Sequence, residues 1–278
     1  MSNAEQEEFW TSDAGPNWVS EQESMDALLA PVLDLLLDRA PLMPGDSVLD
    51  IGCGTGVSVA EAARHVGPSG HVTGLDISQT MLDLAARRTS AANTSFLKAD
   101  AQTHRFDTHF DAMISRFGVM FFNDTVAAFA NLDTALAPGG TMTFAAWGPA
   151  PQNPYFMVPA KAAVGVLGEM PKVDRTLPGP FAFEDSARVL DMMTRAGLTD
   201  PSVETVHLDL TPPGNATDTA ALLLKIGPAQ RALDYHQADE PTTAQVSEAV
   251  ADAIAQFDTD LGLRIPACIH IYTARKPA

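Results

Sequence analysis

Basic residues are scarce in this chain and cysteine is nearly absent. Its 278 residues include 17 lysines and arginines against 35 acidic residues, which gives a formal charge of −18. Because such a chain repels polyanions at long range and contains no cluster of basic residues, we expect neither nucleic acid nor an anionic membrane surface as a partner. The two cysteines, Cys53 and Cys268, are expected to be free thiols in a reducing compartment.

Long apolar runs and secretory features are also missing. No apolar stretch is long enough to cross a bilayer, and the N-terminus, MSNAEQEEFW, is acidic and polar, unlike a secretory signal. Hydrophobic residues make up 46% and charged residues 19%, as is typical of a globular chain. We therefore expect a soluble cytoplasmic protein without membrane insertion. The seven histidines stand in no recognisable base motif, so the catalytic residues are unknown, and no metal site is predicted.

Glycine, by contrast, is concentrated in one informative stretch, VLDIGCGTG at 48–56. The apolar residues before Gly52 predict a buried strand, and residues 57–66 (VSVAEAARHV) predict a helix. Glycines between a strand and a helix let the backbone approach a ligand, and the helix N-terminus offers unpaired N–H groups. This stretch therefore predicts a cradle for a polar ligand.

Strands and helices alternate after this cradle. Further strands are predicted at 71–75, 95–97, 110–115 and 141–146, and helices at 78–88 and 123–137. The segment LAPGG (136–140) is predicted to end the second of these helices in a glycine turn. Such alternation indicates a parallel sheet covered on both faces.

The N-terminal segment is predicted to be an aromatic arm followed by a helix. Residues 9–18 carry two tryptophans around a Gly15-Pro16 turn, and they form either an arm fixed to the domain or a flap over the ligand. Ser20 and Glu23 resemble a capping box, and the apolar spacing that follows predicts a helix ending before Pro41.

The second half of the chain has a different pattern. A proline-rich segment with one helix at 157–169 precedes a helix at 184–196, and a helical region at about 217–259 separates strands at 202–210 and 267–273. The added helices form either a lid or the interface of a homodimer. We divide the chain into an N-terminal arm and helix, a cofactor-binding core, an insertion and a C-terminal half of the sheet, at 1–45, 46–147, 148–182 and 183–278.

The order of these motifs resembles that of the class I S-adenosylmethionine-dependent methyltransferases. The resemblance rests on VLDIGCGTG, VTGLDIS ending in the region of Asp76, LKADA around Asp100, FDAMIS and LAPGG. GVMFF (118–122) and AAWGP (145–149) are similar to the ubiquinone/menaquinone group of small-molecule methyltransferases. The resemblance implies a Rossmann-like, doubly wound α/β sheet of seven strands, mostly parallel with an antiparallel last strand, and helical lid insertions.

A nicotinamide dinucleotide site is the main alternative for the cradle. Its G-x-G-x-x-G fingerprint would place the third glycine at 57, where this chain has Val57, with Gly56 one position earlier. The LAPGG segment also favours the methyltransferase resemblance.

The resemblance implies S-adenosylmethionine as the cofactor and a set of residues around it. These residues are Trp18, Asp50, Gly52, Cys53, Gly54, Thr55, Gly56, Asp76, Ile77, Met81, Asp100, Ala101, Ser115, Arg116 and Phe117. Asp50 and the glycine turn suit the methionyl amino and carboxylate groups. Asp76 suits the ribose hydroxyls, unless it caps the next helix.

Other positions keep two interpretations. Asp100 accepts from the adenine amino group or is an ordinary loop carboxylate. Met81, with Ile77, packs on the adenine or belongs to the core. Arg116 pairs with a carboxylate of the cofactor or acceptor, or is a solvated surface residue. Cys53 is interpreted as a small packing residue.

The function that follows is methyl transfer by in-line displacement to an enclosed small-molecule acceptor. The sequence leaves the acceptor unidentified. A cofactor-binding sensor or scaffold without turnover is the alternative from another class.

Overall fold

A single mixed sheet runs through the protein. The computed structural model describes residues 3–278, apart from the side chain of Asp13. The strands of the sheet are β1 (Ser47–Ile51), β2 (His71–Asp76), β3 (Thr94–Lys98), β4 (Phe110–Arg116), β5 (Leu136–Trp147), β6 (Thr199–Leu210) and β7 (Ile265–Arg275). They lie in the order β3-β2-β1-β4-β5-β7-β6. Strands β1 to β5 are parallel, whereas β7 is antiparallel to both β5 and β6. The predicted doubly wound, mostly parallel sheet with an antiparallel last strand is therefore confirmed.

Helices cover both faces of this sheet. They are α1 (Ala4–Glu8), α2 (Ala14–Ser20), α3 (Gln22–Leu28), α4 (Ala30–Arg39), α5 (Val57–Val66), α6 (Gln79–Arg88), α7 (Thr125–Ala135), α8 (Pro154–Leu167), α9 (Ser186–Arg195), α10 (Ala216–Leu223), α11 (Pro228–His236) and α12 (Glu240–Ile254). Alternate residues of β1 enter two separate cores. Val48 packs in one core with Val59 of α5, and Leu49 packs in the other with Phe129 of α7. Both faces of the central strands are buried, which explains their nearly continuous apolar sequence.

The N-terminal arm, residues 3–20, is helical from Ala4 onwards. A π-helical turn at Phe9–Asp13 joins α1 to α2. The predicted Gly15-Pro16 turn is wrong, because both residues lie inside α2. Pro16 is the third residue of α2, so its missing N–H falls just after the π-helical turn, where the spacing of the backbone hydrogen bonds changes. Gly15 is required, since a Cβ at this position would lie 1.8 Å from the carbonyl oxygen of Trp10.

The helix that follows the arm is divided in two. The predicted capping box is absent here, because the hydroxyl of Ser20 donates to the carbonyl of Asn17 and α3 begins at Gln22. The helix is interrupted again at Leu29, between α3 and α4. Pro31 lies in the first turn of α4 and has no backbone N–H to donate to the preceding turn. Helix α4 ends before Pro41, as predicted.

The LAPGG segment is an irregular strand start rather than a glycine turn. Helix α7 ends at Ala135, and β5 begins at once with Leu136 opposite Phe110. The register shifts between Phe110 and Ala112, and Gly139 has a φ of 76°. A bulge therefore replaces the predicted turn.

The added helices form one unit, consisting of α8 and α10–α12. Helix α8 packs against α11 and α12, and α10 packs against α12. Helix α8 begins earlier than predicted because Pro154 suits its first turn. In the antiparallel pairs, Ile269 lies opposite Trp147 at the end of β5, and Ile265 lies opposite Leu210. Helices α10–α12 connect β6 to β7, so they are attached at the carboxyl edge of the parallel strands.

Between residues 3 and 278, no helix combines the length and the apolar character needed to cross a membrane.

Candidate functional site

The cradle predicted from the sequence is a strained turn between β1 and α5. Gly52, Gly54 and Gly56 all have positive φ, at 68°, 54° and 87°. A Cβ on Gly52 would lie 2.7 Å from the Cα of Gly118, and one on Gly56 would lie 2.9 Å from the Cβ of Ala85. Only glycine therefore fits both the left-handed conformation and the close packing of this turn.

Asp50 is fully buried directly below the turn. Its Oδ2 accepts a hydrogen bond from the hydroxyl of Ser58, which is in the first turn of α5. Its Oδ1 has no hydrogen-bond partner within the described part of the chain. Burial raises the pKa of the Asp50 carboxyl to about 7, although the Ser58 bond and the Arg116 cation lower it. Asp50 is therefore a buried acceptor with unused capacity.

Asp76 holds the turn to the end of β2. Its Oδ2 accepts from the N–H of Gly54 at 2.8 Å, and its Oδ1 accepts from the N–H of Ser78 at 2.8 Å. Ser78 is the N-cap of α6 and accepts from the N–H of Met81, so the interpretation of Asp76 as the cap is wrong. Each carboxylate oxygen can accept a further bond. Asp76 thus has capacity left for two hydroxyl donors.

The neighbours of Asp76 differ in exposure. Ile77 is half-buried, whereas Met81 is buried at 4% exposure, close to Gly54. Burial and the nearby carboxylates of Asp76 and Asp50 raise the pKa of the Cys53 thiol well above its usual range. Cys53 is therefore a packing residue and a poor nucleophile. Like Cys268, it is a buried free cysteine.

Asp100 and Ala101 follow β3 beside this turn. Asp100 accepts from the N–H of Gln102 at 2.9 Å and from the side-chain amide of Asn3 at 2.8 Å, while Ala101 is buried. The side-chain oxygen of Asn3 in turn accepts from the N–H of Asn123 at 2.8 Å. Asp100 therefore orders its own loop and also anchors the N-terminal arm.

Ser115 and Arg116 end β4 next to the glycine turn, and Phe117 follows directly after the strand. The buried Ser115 hydroxyl donates to the carbonyl of Ile51 at 2.7 Å and accepts from the N–H of Gly118 at 3.1 Å. Phe117 has a φ of 69°, which is uncommon for a bulky residue. Its ring stacks on Trp147 with centroids 4.4 Å apart and an interplanar angle of 3°. The β4 end is thus tied directly to the β1 end.

Arg116 is buried, so its interpretation as a solvated surface residue is wrong. Its side chain is only 10% exposed, and its Nη2 lies 3.7 Å from Oδ1 of Asp26. Arg88 donates to Asp26 at 2.7 Å and to the carbonyl oxygen of Thr55 at 2.9 Å. Thr55 itself is buried. Sequence reasoning missed both Asp26 and Arg88, because no local pattern connects these distant positions.

The arm lies across the ends of β2 and β3. The Trp10 carbonyl accepts from the Ser78 hydroxyl at 2.8 Å, and the Thr11 carbonyl accepts from Thr80 at 3.0 Å. Trp18 is half-buried against the larger core and meets Trp10 edge to face, with centroids 5.9 Å apart. Ser78 could have been found from the sequence, since serine before an apolar helix is a common N-cap. The arm therefore covers the edge that carries Asp76 and Asp100.

The glycine turn lies in the part of the chain that is similar to known proteins. Residues 48–140 match the methyltransferase domain family. Aklanonic acid methyltransferase DauC of Streptomyces sp. (strain C5) is 35% identical over 113 residues, covering 39% of this chain and 51% of that protein. Demethylmenaquinone methyltransferase of Staphylococcus aureus is 36% identical over 98 residues, covering 34% of this chain and 41% of that protein. The chain thus spans about half the length, or less, of these curated relatives.

A solved structure matches over most of the chain. Haemonchus contortus phosphoethanolamine N-methyltransferase 2, in complex with S-adenosyl-L-methionine, has a TM-score of 0.53 and 19% sequence identity. The match covers 89% of this chain and 53% of that chain, and at this identity it concerns the fold. The fold is that of the class I methyltransferases, and the resemblance predicted from the sequence is confirmed.

Proposed function

We propose that this protein transfers a methyl group from S-adenosylmethionine to a small-molecule acceptor by in-line displacement. The observation that carries the proposal is the set of carboxylates at one edge of the sheet. Asp50, Asp76 and Asp100 lie at or just after the ends of the adjacent strands β1, β2 and β3, around a glycine turn inside a methyltransferase domain. Ligands of open α/β sheets bind at this carboxyl edge.

The residues of this edge suit the parts of the methyl donor. The unpaired Oδ1 of Asp50 and the N-terminus of α5 suit the amino and carboxylate groups of the methionyl end. The remaining lone pairs of Asp76 suit the two ribose hydroxyls. The Asp100 carboxylate and the Ala101 backbone suit the polar edge of the adenine ring. The side-chain amide of Asn3, which donates to Asp100, then either shares this carboxylate with the adenine amino group or moves away from it. Ile77, Met81 and Trp18 supply apolar contacts beside them.

Positioning is the main task left to the protein. S-adenosylmethionine supplies an activated methyl group on a sulfonium, so an acceptor held in line and close to it needs little covalent help. Ser115 and Gly118 hold the end of β4 against the glycine turn. The arm and the helical unit provide residues that can cover this edge of the sheet and exclude water from it. A covered site favours an enclosed small molecule as the acceptor. No general base is assigned.

The relatives support the same acceptor class. Their names refer to aklanonic acid and demethylmenaquinone, which are small molecules. The helical unit accordingly serves as a lid in this proposal, although a role as a dimer interface stays a prediction. No feature of the site supports a nicotinamide-dependent reaction.

Calorimetric titration with S-adenosylmethionine tests the donor site. Asp76→Asn keeps the size of the side chain but replaces one acceptor oxygen by a donor, and it should weaken binding about 10- to 100-fold. Asp111→Asn is the matched control, because Asp111 is an exposed carboxylate on β4 that accepts from the N–H of Ser47 at 2.9 Å. Failure of the unaltered protein to bind S-adenosylmethionine would reject the proposal.

Turnover is tested separately. Incubation with S-adenosylmethionine and a panel of aromatic and polyketide-like acceptors should release S-adenosylhomocysteine, which mass spectrometry detects. Tight binding without product across the panel would instead favour a sensor or scaffold.

A further inference from the structure

The carboxyl edge of the sheet changes character between β1 and β4. On one side, β1, β2 and β3 lead to the three carboxylates of the donor site, whereas β4 leads to Phe117 and β5 ends at Trp147. The strand order β3-β2-β1-β4-β5 reverses at the pair of β1 and β4, and ligands of open α/β sheets bind in the crevice at such a switch point. A donor bound on the acidic side therefore faces an aromatic surface across this boundary.

Phe117 is held in an uncommon backbone conformation at this boundary. Its φ of 69° lies in the left-handed region, and it is the one aromatic residue among the non-glycine residues of positive φ in residues 3–278. Its N–H donates to the carbonyl oxygen of Ala145 on β5 at 3.0 Å, and the next residue, Gly118, contacts Gly52 of the glycine turn. Strained residues persist where the surrounding contacts fix them, and they are concentrated at functional sites.

The ring of Phe117 is the outer member of an aromatic stack. It lies face to face on Trp147, with centroids 4.4 Å apart and planes 3° from parallel. Trp147 is held in turn by Tyr155, whose plane is 11° from parallel, and by Phe156, which meets it edge to face. These three supporting residues are at most 8% exposed, whereas Phe117 is half-buried. Because Trp147 occupies one face of the Phe117 ring, the opposite face is the one available to a ligand.

We propose that Phe117 is a specificity-determining residue that selects a planar aromatic acceptor by stacking on its ring. The inference rests on the proposed function and specifies the class of its acceptor. A flat ring parallel to Phe117 extends the stack and gains ring–ring attraction in addition to the burial of apolar surface. A saturated acceptor of similar size gains the burial alone, and a charged one loses water against an apolar surface. Since Phe117 is already fixed on its support, little side-chain freedom is lost when the acceptor binds.

Two probes of different planarity test this selection. 1-Naphthol and decahydro-1-naphthol have the same carbon skeleton and hydroxyl group, but only the first is planar. Calorimetric titrations use the protein saturated with S-adenosylhomocysteine, which has no methyl group to transfer. The parent protein should bind 1-naphthol about 3- to 10-fold more tightly than the saturated alcohol, which is the contribution of one aromatic ring pair. Phe117→Leu should abolish this preference, and Phe117→Tyr should keep it.

Phe106→Leu is the matched control. Phe106 is also half-buried and meets Phe110 edge to face, but Phe110 begins β4, so this pair lies at the opposite edge of the sheet. The control should keep the preference for 1-naphthol, and neither leucine variant should change the affinity for S-adenosylhomocysteine. Thermal unfolding of each variant checks the fold. If Phe117→Leu unfolds, Phe117→Gly decides the matter, because glycine accepts a φ of 69° without strain.

The outcomes separate this inference from the proposed function. Equal binding of both probes by the parent protein, binding of neither probe, or an unchanged preference in Phe117→Leu would overturn the inference. An equal loss of affinity for both probes in that variant would overturn it too. In each of these cases binding of S-adenosylhomocysteine leaves the proposed function standing. A parent protein that does not bind S-adenosylhomocysteine would reject the proposed function, and this inference with it.

Discussion

The glycine turn and the N-terminal arm lie at the same edge of the sheet, but they are built in opposite ways. The turn contains three glycines with positive φ and lies above the buried Asp50, one of whose two carboxylate oxygens has no hydrogen-bond partner within the described residues. It also contacts Gly118, which follows Phe117, a residue that itself has a positive φ. The arm is helical and uses ordinary polar contacts, such as the bonds from Ser78 and Thr80 to its carbonyl oxygens. Strain and unpaired charge are thus concentrated on the turn side, as is typical of a binding site. Because the arm is held by ordinary contacts, we expect it to open at a lower cost in free energy than the turn.

The largest expected effect concerns the charge of Asp50. The folded pKa is raised from 3.8 to about 7, so between these values the folded state holds more protons than the unfolded one. The contribution of Asp50 to stability is therefore greatest below about pH 4 and falls as the pH rises to about 7, by about 4 kcal/mol at most. Asp50→Asn should remove this fall. Urea unfolding from pH 4 to pH 8 would measure it as a growing difference between variant and parent.

Ser58→Ala provides the control in the opposite direction. The Ser58 hydrogen bond lowers the pKa of Asp50, so its loss should extend the fall in stability above pH 7. Parallel stability curves for Asp50→Asn and the parent protein would contradict the assignment of Asp50 as a buried, costly acid.

The next largest effect concerns backbone strain in the turn. Gly52→Ala places a Cβ 2.7 Å from the Cα of Gly118 at a φ of 68°. It should lower the free energy of unfolding by about 3 kcal/mol, from left-handed strain and overlap together. Gly139→Ala is the control, because Gly139 has a φ of 76° but no neighbour within 4 Å. Its cost should be about 1–2 kcal/mol. Equal losses in urea unfolding would mean that close packing of the turn contributes nothing.

This turn is also the part of the molecule that the sequence predicts best. Its glycines, the apolar strand before it and the helix after it are neighbours in the chain, and each follows from local sterics and periodicity. The five parallel strands were predicted for the same reason. The position of Asp50, Asp76 and Asp100 at one edge agrees with the predicted parallel sheet, since each lies at or just after the end of a strand, whereas their binding roles stay predictions.

The arm was mispredicted because its conformation depends on distant residues. Gly15-Pro16 is a common turn signal, yet tertiary contacts override it here, since Ser78 donates to Trp10 and Asn3 reaches Asp100. The same limit hid Asp26, whose partners Arg88 and Arg116 lie on other elements. Charges that meet only in the folded state leave no pattern of spacing in the sequence.

A smaller effect is expected where apolar contacts hold the arm. The ring of Trp10 meets Trp18 and Phe121 edge to face, with centroids 5.9 and 5.1 Å away. Trp10→Ala should stabilise the open arm by about 1.5 kcal/mol relative to the closed arm, so amides of α1 and α2 should exchange about tenfold faster. Hydrogen exchange read by mass spectrometry would measure this, with the amides of β1 as internal reference. Phe9→Ala is the matched variant and should have less effect, because Phe9 is 43% exposed.

The smallest effect is expected for the exposed ion pair between the arm and β3. Glu7 and Lys98 are 2.7 Å apart, but their side chains are 45% and 42% exposed. Glu7→Gln should therefore change the free energy of opening of the arm, as measured by hydrogen exchange, by less than about 0.5 kcal/mol. High salt should change this free energy little in the parent protein. An effect as large as that of Trp10→Ala, removed by salt, would mean that charge closes the arm. The arm would then open with ionic strength, and the contrast with the turn would lie in the type of force rather than in the amount of strain.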